Sequence, residues 1–284
     1  MELKNIEIKL LRGSTLPILP RVVTELLALI DNVNATGREY ERVMMQDAAL
    51  ASKVLRTANS SYYGGNGNIT TLQRAVSILG ANTIRSICLT VSFQSAIPLK
   101  ELSKRFNVGY FWQHSMAVAC GAKILACLRH DLLAEEAFIA GLMHDIGKLA
   151  LCLYLPVEAG LIFDKMEKLK ISQYEAEEAF LEVTHQDIGL LAAKIWSLPK
   201  IYHGPIAHHH TPTKDVLEID PLTAYVHIAN AIAYEIGVGY AEPGSMNGMD
   251  PLVKEFLELS QEQYDPLRVT IANAVSRLSS QMGL

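Results

Sequence analysis

Cysteine is scarce in this sequence and is not spaced for a metal knuckle. The four are Cys88, Cys120, Cys127 and Cys152, and no pair has the two- to four-residue separation of a zinc finger. Each lies in an apolar helical pattern, so they read as small buried hydrophobes in a reducing compartment. Long apolar runs are missing as well: none approaches the roughly 20 residues that cross a bilayer. The opening stretch Met1-Glu-Leu-Lys-Asn-Ile-Glu7 alternates in charge and has no apolar core, so no secretory signal and no membrane partner are expected, and the expected location is cytoplasmic. A strong excess of one charge is also lacking. With 25 Lys+Arg against 30 Asp+Glu the net charge is −5. Residues 1–100 carry 11 basic and 7 acidic groups, and residues 101–284 carry 14 and 23. A nucleic-acid binder is usually more basic, and the mildly positive half reads as a solvated surface, so nucleic acid is not the expected partner.

What is present is apolar and helical. Half of the 284 residues are hydrophobic and the mean hydropathy is slightly positive, enough for one large domain or two small ones. Leu16-Pro-Ile-Leu-Pro20 is a proline-bounded lead-in to Val22, Val23, Leu26, Leu27 and Ile30, which recur at helical spacing. Arg38 to Asn59 predicts another helix, ending in the turn-forming run Asn59 to Asn68. Thr70 or Thr71 opens a helix that Gly80 interrupts, and Ala81 to Ala96 continues to Pro98. Further helices are expected at about 108–130, 133–155, 157–169 and 173–183. Thr184-His-Gln-Asp187 has capping-box spacing for the next, and another is expected from Asp220 to Gly237. Two terminal helices, at about 250–260 and 265–282, close the chain. No convincing strand or repeat is visible. The expected fold is all-α: an N-terminal helical bundle over 1–100, a histidine-bearing helical core over 101–240, and a C-terminal helical extension over 241–284.

His144-Asp145 stands out inside the apolar segment Ala140 to Lys148. A buried carboxylate and imidazole are tolerated only when hydrogen-bonded, paired or bound to metal. Six of the nine histidines fall in four segments: His114, His144, His185 and the run His208-His209-His210. A fold that gathered them would have a two-metal site or the remains of one. The plain alternative is a His–Asp pair that only fixes helix packing. Lys148 lies one turn after His144 on the same face, placed to grip a phosphate or to repel a metal. Gly141 and Gly147 leave room for neighbouring helices. His203 and His227 are assigned to packing or surface.

In order along the chain, His114, His144-Asp145, His185 and His209-His210 resemble the metal scaffold of the HD superfamily of phosphohydrolases. The resemblance is nearest to the HDOD domain, the HD-related output domain of bacterial signalling proteins. Leu16 to Pro20, Asp47 to Ser60, Ile69 to Gly80, Trp112-Gln-His-Ser115, Ala140 to Lys148, and Trp196 to Pro199 through His209 to Pro212 carry it over about residues 10–235. It implies an HD-like helical core and metal ligands at His114, His144, Asp145, His185, His209 and His210. In an active enzyme Asp145 and Lys148 would serve catalysis, with Lys148 holding phosphate. Iron, manganese, zinc or nickel would suit such ligands, although the resemblance does not require an occupied site.

Two departures qualify that resemblance. HD enzymes complete the ligand set with an aspartate on a late helix, and here Asn230 stands at that place. The branch that hydrolyses cyclic di-GMP follows its His-His pair with a Gly-Tyr-Pro loop, whereas this chain reads His209-His-Thr-Pro-Thr-Lys-Asp215. The expectation is therefore a non-catalytic signalling module that binds a partner protein or small ligand. The alternative is a metal-dependent phosphohydrolase acting on a nucleotide or other phosphate ester.

Overall fold

A computed structural model describes residues 36–63, 69–96, 105–213, 218–239 and 248–282, together with Val22, Glu25, Leu26 and Leu29. The lead-in at 16–20, most of the helix expected after it, residues 64–68 of the turn-forming run and the stretch around Pro98 lie outside the described residues. The described residues are helical, with no strand among them. They fall into two compact units, one holding Pro98–Ala272 and the other Pro17–Ile97 with Asn273–Leu284.

The smaller unit contains α1 (Gly37–Met44), α2 (Ala48–Ala58), α3 (Leu72–Leu79) and α4 (Ala81–Ala96). Tyr40, Val43 and Met44 of α1 are buried, as are Leu50 and Val54 of α2 and Ile84, Ile87 and Cys88 of α4. Full burial contributes about 1.5–3 kcal/mol for each large aliphatic side chain. The helix expected without a break over 38–59 is interrupted at Met45 to Asp47. There the Asp47 carboxylate accepts the Leu50 N–H at 3.0 Å and starts a new helix, as a short acidic side chain does at an N-cap. Thr71 is the residue that opens α3, its hydroxyl accepting the Arg74 N–H at 3.1 Å. Gly80 separates α3 from α4 at φ +83°, a left-handed conformation that glycine adopts without strain. Asn59 clamps the following loop: its amide donates to the Ile69 carbonyl at 2.7 Å and accepts from the Ile69 N–H at 3.0 Å.

The larger unit is built round α5 (Val108–Leu128), which packs on α6 (Ala134–Met143) and on α12 (Pro221–Glu235). In chain order, α7 (Ile146–Tyr154), α8 (Pro156–Leu169), α9 (Gln173–Leu181), α10 (His185–Ile195) and the short α11 (His203–His208) lie between α6 and α12. The last described helices are α13 (Pro251–Phe256) and α14 (Gln261–Met282). Two glycines set the spacing of this core. A Cβ on Gly141 would lie 2.7 Å from the Ala119 backbone, and one on Gly147 would lie 1.8 Å from the His185 carbonyl oxygen. By length and composition Ala134–Tyr154 could cross a membrane, but 89% of its apolar 18-residue window is buried inside the protein.

Candidate metal centre

The continuous helix expected over 133–155 is broken at His144-Asp145. α6 ends at Met143 and α7 begins at Ile146. The cause is competition for backbone acceptors. His144 Nδ1 donates to the Gly141 carbonyl at 2.7 Å, and the Asp145 carbonyl accepts the Lys148 N–H at 2.9 Å in a tightened turn. Asp145 then rests at φ −95°, ψ 14°. The break turns both side chains into the interior, where His144 is 0% and Asp145 1% exposed.

All six expected ligands converge there, in two groups that share Asp145. On one side, Asp145 Oδ1 lies 3.3 Å from His185 Nε2 and 3.4 Å from His209 Nε2, and the two imidazole nitrogens are 3.2 Å apart. The His210 ring centroid is 4.3 Å from that of His209. On the other side, Asp145 Oδ2 lies 3.4 Å from His144 Nε2 and 3.8 Å from His114 Nε2. Lys148 joins this second side, its ammonium 2.9 Å from Oδ2 and 3.4 Å from the Tyr234 hydroxyl. Of the run His208-His209-His210, only His209 is fully buried; the other two are half-buried.

Local structure fixes each imidazole. His185 is the first residue of α10, where backbone N–H groups have no helical partner. Thr184 and Asp187 form the expected capping box, with the Thr184 N–H 2.8 Å from the Asp187 carboxylate. His185 itself is held by Glu177, whose Oε2 accepts its N–H at 2.6 Å and its Nδ1 at 2.7 Å. His209 Nδ1 donates to the Pro205 carbonyl at 3.0 Å. The His209 carbonyl accepts His227 Nδ1 at 2.7 Å, and His227 Nε2 accepts the Asp250 N–H at 2.8 Å. His227 is thus a brace for the His209 turn. His114 Nε2 hydrogen-bonds Asn230 Oδ1 at 2.9 Å, so Asn230 does reach the centre from α12. Glu177 and Tyr234 were not singled out from the sequence. A signal for Glu177 was present: Tyr174, Glu177 and Leu181 recur at helical spacing, so the buried stripe of α9 passes through it.

Burial drives His114 and His209 down to about 3, against the pull of Asp145. His210 lies well below its ordinary value through burial and the neighbouring His209 and His185. Burial also works against a charged His185, but Glu177 and Asp145 outweigh it and hold the ring up at about 9. For Asp145 burial favours the neutral acid, yet His144 and Lys148 keep its carboxyl well below the usual range. An ionised carboxylate amid mostly neutral imidazoles is the protonation state that metal binding requires. His144 Nε2 and His210 Nε2 are buried without a hydrogen-bond partner. Orphaned nitrogens beside a carboxylate fit a divalent transition metal.

A family model for the HDOD domain matches residues 16–212. Three solved structures share the fold. An HDOD domain protein of unknown function from Geobacter sulfurreducens superposes with a TM-score of 0.82 at 21% identity, covering 98% of this chain and 96% of its own. A candidate phosphohydrolase from Shewanella amazonensis SB2B gives 0.76 at 23% identity over 96% and 97%. A candidate signal transduction protein from Marinobacter aquaeolei VT8 gives 0.75 at 24% identity over 94% of this chain and 59% of its own. An uncharacterized protein of Treponema pallidum is 23% identical over 225 residues, which make up 77% of this chain. The match spans 42% of that relative's length.

Proposed function

This chain belongs to the HDOD domain family, and we propose that it is a non-catalytic regulatory module whose metal-site scaffold serves structure and signalling rather than turnover. The observation that carries this reading is the closure of the centre. His114, His144, Asp145, Lys148, His185 and His209 are each 0–1% exposed, and of the expected ligands His210 alone is half-buried, whereas a catalytic metal site keeps a position open for water or substrate. Asn230 supports it, because a carboxamide brings no negative charge to a hard cation. The partner would be a signalling protein or a small ligand. Among the described residues the cysteines form no disulfide, which suits the reducing cytoplasm.

When bound, a divalent metal would activate water and polarise a phosphoryl oxygen. His114, His144, Asp145, His185, His209 and His210 would hold it, and Lys148 would meet the phosphate. That alternative, a phosphohydrolase, draws on the complete histidine set and on the phosphohydrolase name of one structural neighbour. A hydrolysis assay of the metal-loaded chain decides between them, using nucleotides, cyclic nucleotides and simple phosphate esters. The regulatory reading expects no turnover above that of His144→Ala. Robust hydrolysis that His144→Ala abolishes would overturn it.

A further inference from the structure

We propose that this centre is built for one cation and not two. A divalent transition metal is held by His185, His209, His210 and Oδ1 of Asp145, and the Lys148 ammonium stands at Oδ2 in place of a second metal. The inference rests on the metal-binding part of the function proposed above.

The first side of Asp145 needs a cation. His185 Nδ1 faces the Glu177 carboxylate and His209 Nδ1 faces the Pro205 carbonyl. Both partners are pure acceptors, so both Nδ1 atoms carry the hydrogen, and in neutral rings both Nε2 atoms present lone pairs. These lone pairs face one another at 3.2 Å and face Asp145 Oδ1 at 3.3 and 3.4 Å. With both rings neutral, three acceptors converge with no donor among them; either a second proton on His185 or a metal ion in that proton's place relieves the arrangement. The spacing suits a metal. Ligand bonds of about 2.0–2.2 Å round a tetrahedral or octahedral ion place neighbouring donor atoms about 2.8–3.6 Å apart. The buried, unpartnered Nε2 of His210 supplies a fourth donor.

The second side differs in charge. Lys148 lies 2.9 Å from Oδ2, and both groups are 1% exposed. Asp145 is the one acidic residue in either ligand group, and its charge is already balanced by that ammonium. His114 Nε2 is engaged by the Asn230 amide at 2.9 Å and stands back from Oδ2 at 3.8 Å. A second dication here would have to displace the ammonium, break the His114–Asn230 bond and accept a neutral carboxamide where a carboxylate would have attracted it. In a buried site such a charge imbalance is not screened.

Manganese tests this without reference to catalysis. The purified chain is equilibrated with Mn(II), freed of loosely held ion, and measured by elemental analysis and electron paramagnetic resonance. One ion per chain with the spectrum of an isolated Mn(II) is expected. Two ions with an exchange-coupled spectrum would overturn the single-cation proposal while leaving the metal scaffold intact. No ion retained, with Zn(II) and Fe(II) equally lost, would overturn the metal reading itself. Variants then locate the ion. His114→Ala should keep one ion per chain, and His185→Ala should lose it, with circular dichroism checking that both fold; the reverse pattern would sink the assignment. Lys148→Met combined with Asn230→Asp should admit a second, exchange-coupled ion. A folded double variant that still holds only one would refute the role given to Lys148.

Discussion

One carboxylate oxygen of Glu177 holds His185 twice, accepting its backbone N–H at 2.6 Å and its Nδ1 at 2.7 Å. The other oxygen accepts the Gln173 side-chain amide at 2.7 Å. The pair orients Nε2 of His185 toward Asp145 and fixes its tautomer, as carboxylates behind metal-bound histidines do. Glu177→Ala should therefore weaken metal binding by about 10–100-fold. It should also lower stability by about 3 kcal/mol or more, because three buried donors lose their acceptor. Competition against a metal-chelating dye and urea denaturation read the two effects. Glu177→Gln keeps one acceptor oxygen and should fall between wild type and alanine in both. Unchanged metal affinity in Glu177→Ala would remove Glu177 from the centre's support.

The close approach of α7 and α10 at Gly147 gives a second test. An alanine methyl there would sit 1.8 Å from the His185 carbonyl oxygen, a backbone atom that cannot swing aside. Gly147→Ala should cost at least about 3 kcal/mol, beyond the usual overpacking range, and should displace His185. Gly160 is the control. It lies within α8, and nothing stands within 4 Å of its would-be Cβ. Gly160→Ala should stabilise by up to about 1 kcal/mol through helix propensity alone. Thermal unfolding of the two variants should shift in opposite directions.

The same two helices mark the limit of what the sequence discloses. Spacing and composition point to α10, its Thr184–Asp187 capping box, Gly147 as a place of close approach, and His144-Asp145 as a buried polar pair, whereas the choice of His114, His185, His209 and His210 as its companions comes from the resemblance to the HD scaffold. They do so because helical periodicity and caps are local, and because a charged pair in an apolar run needs a compensating site. The break at His144-Asp145 is not legible in that way. It depends on a side chain taking the Gly141 carbonyl, and an uninterrupted apolar pattern hides such a competition. The break at Asp47 is similar: one residue shifts from helix interior to cap. Glu177 is legible only in part: its place on the stripe of Tyr174 and Leu181 marks it off from its neighbours Glu175 and Glu178 as buried, but its role waits on the partner eight residues on being placed beside it.

His227 carries a third prediction, since the sequence offers only packing or surface for it. Its ring links the His209 carbonyl to the Asp250 N–H at 2.7 and 2.8 Å, and Asp250 in turn accepts the Thr213 hydroxyl at 2.6 Å. His227→Phe preserves much of the volume but strands a carbonyl and an N–H. Each stranded group should cost about 1–3 kcal/mol. Because the freed carbonyl belongs to His209, metal affinity should fall together with stability. Guanidinium denaturation with a parallel metal titration checks both. A variant as stable as wild type would mean that water replaces the ring without loss.

The fourth prediction concerns the thiols. Cys127 is exposed near the end of α5, whereas Cys88, Cys120 and Cys152 are 0% exposed. Burial raises the Cys152 thiol to about 12 and pushes Cys88 up as well. The reactive species is the thiolate, so the buried thiols are protected both by access and by ionisation. With a colourless aromatic disulfide at neutral pH, the native chain should release one equivalent of chromophore promptly. In denaturant it should release four. Cys127→Ser should abolish the prompt phase and leave the total at three. Prompt reaction of a second thiol in the native chain would show that the core of α4, α5 or α7 opens on the labelling timescale. Assigning that thiol by mass spectrometry would place the opening: in α4 it would leave the metal centre's own unit closed, whereas at Cys120 or Cys152 it would expose helices that carry His114 and Lys148.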